Sequence, residues 1–468
     1  MIYMDMTSCL DYIGRNPLGI VRVEMNYVQW ALRNLTPEQI TFCYYDRGLG
    51  KMGFLRFSDA QGVLDQIGRP TSQQPAAAAA PASNTQSDSP KAAFRAFAKS
   101  MYLAFSGAFA GSPRVQRIFC RAKRAFKRLL GERVDGMPPS VQTPAGTGEV
   151  RDSFVLDWKA DDVFVTVGLI WDYLPLDKIY VWKKRLGFKV VGMIYDLVPY
   201  KVPEYCLGVP PAFFRSVVDL LWCADAIATI SDQTRRDVEA FIEKYQLPRP
   251  KTIGVTYLGT DVGTMAEGYV PDAAELDVSR LKPGRFILQV GTIEPRKNHA
   301  LTLTAWRMMA KEGFPELMPL VVVGAQAWGV GDVMEMARRD RALSPKYFVH
   351  SNRVSDQTLL WLYKNCFMTV YPSFYEGWGL PVSESLTHGK FCLAGDNGAL
   401  VEAGAGYAGH LSPFDVVGWA RRLKELMCNP SEVEKLNARI REEYRMRTWA
   451  TGSEDFFKVV NVANGDRK

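Results

Sequence analysis

Apolar residues in this chain gather in short unbroken runs, each ending at a glycine or a polar loop. DVFVTVG from Asp162, FKVVGMIYD from Phe188, ADAIATISD from Ala224, FILQVG from Phe286 and CFMTVYPS from Cys366 all have this form. Runs of this length without alternation read as strands buried on both faces. IYMDMTSCLD opens the chain as another strand, and GRNPLGIVRVEMNYVQWAL then passes through a glycine turn into an amphipathic helix. Buried strands interleaved with helical periods predict an α/β fold. At 468 residues the chain exceeds one ordinary domain, so two such domains are expected.

The stretch YPSFYEGWGLPVSESLTHGK, 371–390, carries the most chemistry. Gly377, Trp378, Gly379, Leu380 and Pro381 break the preceding strand, and Pro381 suits the first turn of a helix. Glu376 then falls on the strand-to-helix loop and Glu384 in or near the first helical turn. Free amides and the positive end of the helix dipole make such a turn a site for phosphate. With a carboxylate on either side to accept hydroxyls, it matches a sugar diphosphate. The alternative is a helix-capping glutamate beside a surface one. A second loop, GTIEPRKN after Gly291, sets Arg296 and Lys297 side by side between a strand and a helix starting near Asn298. Two cations at the carboxyl end of a strand can neutralise a diphosphate leaving group. A solvated basic turn is the plainer reading.

GTIEPRKN followed by YPSFYEGWGLPVSE resembles the carboxyl-terminal half of retaining glycosyltransferase family 4, with its E-x7-E signature. The likeness continues through LVVVGAQAW, through the RVSDQTLLWLYKNC helix that begins near Val354, and through GALVEAGAGYAGHLSPFDVVGWA. It implies the GT-B fold, two Rossmann-like domains facing a cleft with a last helix crossing back to the first. It also implies a nucleotide-sugar donor with no further cofactor. Arg296 and Lys297 would clamp the leaving phosphate, Glu376 would hold donor-sugar hydroxyls and Glu384 the ribose. Gly291, Val354 and the 377–381 turn would complete the donor site.

The first half carries weaker signals. Gly19, Ile20, Arg22 and Val23 resemble the family's "G-I-x-R-V" acceptor-side loop; an ordinary helix start is the alternative. Asp196 ends its strand and is expected to face the cleft as a catalytic residue. Relatives often have His-Asp there, whereas this chain has Tyr195-Asp196, and its four histidines (299, 350, 388 and 410) all lie in the second half. IYDLVPY and GTIEPRKN resemble bacterial mannosyltransferases of lipopolysaccharide and exopolysaccharide pathways, which implies GDP-mannose. GDP-fucose, dTDP-rhamnose and UDP-sugars stay open. Readings from other classes are a nucleotide-sugar epimerase and an inactive membrane scaffold.

Charge divides the chain unevenly. PTSQQPAAAAAPASNTQSDSP is low-complexity and reads as a disordered linker. Residues 91–134 that follow hold eleven Lys and Arg against Glu132 alone, a net +10 in a chain of net +7, so the remainder is slightly acidic. Phenylalanines at 94, 97, 105 and 109 recur on one helical face. A basic amphipathic segment with aromatic anchors predicts contact with an anionic membrane surface; a nucleic-acid patch or a helical lid are its rivals. The family's use of lipid-linked acceptors favours the membrane and disfavours nucleic acid. The expected division is 1–65 with 151–267 as the acceptor domain, 66–150 as linker and insertion, 268–447 as the donor domain, and 448–468 as the returning helix and tail. No D-x-D triplet occurs, so no metal site is expected. No apolar run is long enough to span a bilayer, and no basic region precedes the first strand as in a signal peptide. Eight scattered cysteines without a C-x-x-C pair read as buried thiols. The expected location is the cytoplasm, at the inner face of the plasma membrane.

Overall fold

The computed structural model describes residues 1–15, 19–47, 50–67, 158–206, 211–261, 263–343 and 346–465. The linker and basic insertion expected within 66–150 lie outside these from residue 68 onward.

The described strands form two sheets. The first contains β1 (Ile2–Asp5), β2 (Ile40–Asp46), β3 (Lys51–Leu55), β4 (Val163–Thr166), β5 (Lys189–Ile194), β6 (Ala226–Thr229) and β7 (Thr252–Val255), in the order β3-β2-β1-β4-β5-β6-β7. All pair in parallel except β2 with β3. The second contains β8 (Ile287–Val290), β9 (Leu320–Val323), β10 (Phe348–Ser351), β11 (Met368–Tyr371), β12 (Cys392–Gly395) and β13 (Gly409–Leu411), in the order β10-β9-β8-β11-β12-β13, wholly parallel. β4, β6, β9, β11 and β12 are buried along their whole length, the state that unbroken apolar runs predict when helices cover both faces.

Eight helices position the site: α1 (Gly19–Asn34), α2 (Asp232–Tyr245), α3 (His299–Lys311), α4 (Asp356–Asn365), α5 (Leu380–Thr387), α6 (Gly398–Gly404), α7 (Val416–Cys428) and α8 (Trp449–Asn464). α8 follows the second domain yet packs on the first, as the family resemblance implied. Its Phe456 and Phe457 stack on Tyr27 and Trp30 of α1, each at 4.6 Å between ring centroids. The approach is close enough that a Cβ on Gly259 would come 2.3 Å from the Trp449 nitrogen.

The seven described cysteines are free thiols. Among the described residues, no helix is long and apolar enough to cross a membrane.

Candidate active site

In each sheet the strand order reverses once, and the crevice beyond that switch point is where an open α/β sheet receives ligands. The reversals fall between β1 and β4, and between β8 and β11. The first is filled. Glu24 from α1 is fully buried there, and a Cβ on Gly168 would lie 2.3 Å from Ser8 Oγ and 2.9 Å from Glu24 Oε2. Burial, reinforced by nearby Asp5, pushes the Glu24 carboxyl well above its ordinary range, and burial carries Asp5 up to about 6. Nothing in the sequence pattern marked this buried acid, because a lone glutamate on an amphipathic helix looks like a solvated one.

The second switch point holds the predicted cations. A one-turn 3₁₀ helix, Pro295–Lys297, follows β8, and Asn298 in left-handed conformation leads into α3. This turn directs Arg296 and Lys297 at the loop after β11. Lys297 Nζ donates to Glu376 Oε1 at 2.6 Å and to Tyr371 Oη at 2.5 Å. Arg296 Nη1 lies 2.7 Å from Glu376 Oε2 and donates to the Tyr375 carbonyl at 2.8 Å, while Nη2 donates to Glu294 at 2.6 Å. Tyr371 and Ser373 hydroxyls donate to the same Oε1 at 3.0 and 2.6 Å. Glu376 is therefore surrounded by four donors. Burial alone would raise its pKa, but the two cations outweigh it and hold the carboxylate down to about 2. Burial pulls Lys297 below its ordinary range against the opposing pull of Glu376. Burial likewise opposes Arg296's charge, but Glu376 and Glu294 overcome it and raise its pKa. Arg296 and Lys297 thus share the Glu376 carboxylate, and Glu294 takes the remaining Arg296 donor.

Asp196 joins this cluster from the first domain. Its Oδ1 accepts from the Val198 N–H at 2.9 Å, and a Cβ on Gly377 would lie 2.8 Å from Asp196 Cβ and 2.5 Å from the Tyr195 carbonyl. Burial raises its pKa, with Arg296 opposing. Only glycine at 377 permits this approach. The neighbouring Tyr195 does not replace the family's histidine, because its hydroxyl turns into the first domain's core and donates to the Val167 carbonyl at 2.5 Å.

Glu384 is set apart from the clamp. It is the fifth residue of α5, whose N-cap is Gly379 at φ 109° and whose first turn holds Pro381, so it lies just past the first turn, near where it was expected. Its Oε2 accepts from Tyr363 of α4 at 2.9 Å; burial raises its pKa, while that hydrogen bond and the charge of Arg22 oppose the rise. Arg22, on the first domain's α1, is thus close enough for its charge to act on Glu384. Gly19 is the first residue of α1, and a Cβ there would meet nothing within 4 Å. Ile20 packs on the first domain's core.

In the turn, the side chains of Trp378 and Leu380 pack against the first domain's core, Trp378 with its ring 5.3 Å from Tyr257, and Trp378 also packs against the cluster that holds Tyr371 and Val382 of its own domain. Val354 packs partly buried against the cluster around Phe286 and Leu288. Gly291, at φ 144°, faces Gly324, where a Cβ would meet the Gly291 carbonyl at 1.9 Å. Gly324 was not among the predicted site residues, although LVVVG ends on it.

A seam beside the clamp joins the domains. Glu402 of α6 accepts from the Asp232 and Gln233 N–H groups at the start of α2, both at 2.7 Å. Tyr375 Oη donates to Asp237, which also holds Lys201 at 3.0 Å, and Gln233 Nε2 donates to Tyr375 Oη at 3.2 Å. A carboxylate at a helix N-terminus meets unpaired donors and the positive end of the dipole.

Residues 275–445 match the family model described as "Glycosyl transferases group 1". This segment is similar to the glycosyl transferases group 1 family. The group 1 segment contains Arg296, Lys297, Glu376 and Glu384. Over 232 residues the chain is 29% identical to "Serotype-specific mannosyltransferase WbdA" of Escherichia coli, covering 48% of this chain and 28% of WbdA. It is 26% identical over 267 residues to "O-antigen chain mannosyltransferase B" of E. coli, covering 56% of this chain and 62% of that protein. The chain thus spans less than two thirds of each relative's length. Among solved structures, a UDP-forming trehalose-phosphate synthase from Burkholderia xenovorans aligns with TM-score 0.49 and 16% identity, over 65% of this chain and 75% of that one. The GT-B architecture around the group 1 segment is read from the two sheets themselves and from the crossing of α8.

The separation of Glu384 from the clamp gives a test. Glu384→Ala is expected to weaken nucleoside diphosphate binding by about tenfold, the scale of one hydrogen bond to a charged group. Titration calorimetry with GDP, UDP and dTDP measures it. Wild-type affinity for all three in the variant would remove Glu384 from the nucleotide site.

Proposed function

We propose that this protein is a retaining, metal-independent glycosyltransferase that moves a sugar, with GDP-mannose the favoured donor, onto a glycan or lipid-linked saccharide of a surface polysaccharide. The observation that carries the reading is the Arg296–Lys297–Glu376 clamp at the β8/β11 switch point, closed over by Asp196 of the other domain. The printed mannosyltransferase names of the E. coli relatives support the donor choice.

In this reading the C1–O bond to phosphate breaks toward an oxocarbenium-like state. Charge gathers on the leaving phosphate, where Arg296 and Lys297 stabilise it more than in the ground state. The acceptor oxygen bonds to C1 on the same face, and its proton passes to the departing phosphate oxygen. The products are a glycoside of unchanged anomeric configuration and a nucleoside diphosphate. No histidine is required. Four donors already surround Glu376, so a donor sugar or phosphate must share or displace one of them.

The test is a donor panel of GDP-, UDP- and dTDP-sugars offered to the purified full-length chain with saccharide acceptors and excess EDTA. Transfer from GDP-mannose with retained anomeric configuration by NMR is expected. Strict dependence on added Mn²⁺ or Mg²⁺ would overturn the cationic phosphate site, and inversion would overturn the front-face mechanism. Conversion of a donor without acceptor would favour the epimerase reading.

The reading includes peripheral membrane contact through 91–134. Each Lys or Arg near an anionic bilayer contributes about 1 kcal/mol, screened by salt, and the phenylalanines add burial. Deleting residues 70–145 is expected to abolish sedimentation with anionic liposomes while leaving nucleotide binding intact. A deletion variant that still pellets would assign membrane contact elsewhere.

A further inference from the structure

Three aromatic rings lead from the clamp to the protein surface. Phe374, two residues before Glu376, donates its N–H to the Arg296 carbonyl at 2.9 Å, which ties it to the turn carrying the cations. Its ring stacks on Tyr205 of the first domain, with centroids 3.9 Å apart and planes 7° from parallel. It also meets Phe414, at 5.0 Å and 41°. Phe414 is 71% exposed, and Val417 at the start of α7 is 63% exposed. Asn397 runs along the strip, donating through Nδ2 to the carbonyls of Ser373 and Phe374 at 3.2 and 3.3 Å. Its Oδ1 is buried and accepts no hydrogen bond from the described residues.

A single exposed apolar side chain needs no explanation. Phe414 differs because it ends a ladder that begins at the active-site turn and draws rings from both domains. The first domain is where the family resemblance puts the acceptor. A pyranose offers a patch of C–H groups on one face and hydroxyls around its edge. A ring presents its electron-rich face to the C–H patch, and a fixed amide oxygen beside the ring accepts an edge hydroxyl. The residues flanking the rings, Glu204 and Asp415, are exposed carboxylates, which disfavour an anionic lipid headgroup and add hydroxyl acceptors.

We propose that Tyr205, Phe374, Phe414 and Asn397 form a saccharide-binding subsite that grips the acceptor glycan one or more sugars away from the transfer point. The subsite takes its orientation from the proposed glycosyltransferase activity, but saccharide binding by the strip does not require turnover. It makes this protein an enzyme that reads acceptor length as well as the terminal sugar.

The experiment pairs transfer kinetics with calorimetry on the full-length chain, using α-linked manno-, gluco- and galacto-oligosaccharides from one unit to five. Wild type is expected to bind the longer members of one series more tightly than its monosaccharide. Phe414→Ala is expected to raise KM and Kd for those longer acceptors by about three- to tenfold, the scale of a well-formed aromatic contact. The same variant should change kcat and the one-unit acceptor by less than about twofold, and Phe414→Trp should restore the long acceptors. Tyr205→Ala provides a second variant. Absence of length dependence in wild type overturns the subsite, as does a Phe414→Ala variant that slows short and long acceptors equally or not at all. Length-dependent binding lost in Phe414→Ala, with no transfer from any donor, would keep the subsite and discard the enzymatic reading. Transfer indifferent to Phe414 would do the reverse.

Discussion

Lys297→Ala is expected to lower turnover by about a hundredfold while changing donor affinity far less. The Lys297 side chain is 14% exposed and is fixed by Glu376 and Tyr371, and in the proposed mechanism it is in place when the phosphate begins to leave. A group fixed in this way stabilises developing charge without reorganising, and losing one such donor costs on the order of 10²–10³ in rate. The fold should tolerate the change, because Arg296, Tyr371 and Ser373 still hold Glu376. Arg296→Ala should lose as much turnover and also disturb the loop, since Arg296 is bonded to the Tyr375 carbonyl. Steady-state kinetics on both variants decides the matter. If Lys297→Ala keeps near-wild-type kcat, the leaving group is stabilised elsewhere.

Glu376→Ala is expected to be worse than either cation variant. It removes the carboxylate bonded to both buried cations, leaving Glu294 and the more distant Asp196 to face them, and breaking a buried pair by removing one partner costs about 3–5 kcal/mol. Transfer should become undetectable and the second domain less stable to denaturant. The anchoring role also alters what binding should show. A Glu376 that held only donor-sugar hydroxyls would leave nucleoside diphosphate binding untouched when removed, whereas one that orients Arg296 and Lys297 will disturb the diphosphate too. Glu376→Gln separates charge from shape. The carboxyl is held down to about 2 in the fold from an ordinary 4.5. Its folded pKa is the lower one, so its stabilising charge is fully present above about 4.5 and is lost as pH falls toward 2. The gap in denaturation midpoint between wild type and Glu376→Gln should therefore narrow across that window. A gap that stays constant from pH 6 to pH 2.5 would show that the carboxylate's charge contributes nothing.

The parts of the site legible in the sequence are those made by one loop at a time. Arg296, Lys297 and Glu376 could be named because each follows a recognisable strand, and β8 and β11 turn out to be the two strands that flank the switch point. Asp196 was legible for the same reason. What the local pattern did not carry is the packing of one domain on the other. Trp378 and Leu380 stand in the motif, yet their side chains serve the first domain. Tyr195 stands where relatives have histidine, yet its hydroxyl is committed to the Val167 carbonyl. Glu402 and Asp237 look like ordinary surface residues until α2 and α6 are brought face to face. Glu384 was legible too, because Gly379 caps α5 and sets it close to the first turn, where the glycine and proline signals put it.

The crossing of α8 has a consequence for how the chain is made. Residues 449–464 supply Phe456 and Phe457 to the core that also contains Val163, Val191 and Ala226. The first domain therefore cannot finish its core while it is the only part to have left the ribosome. It must wait, with Tyr27 and Trp30 uncovered, until the whole group 1 segment has been synthesised behind it. The later domain, whose own core is complete without α8, is free to close before it.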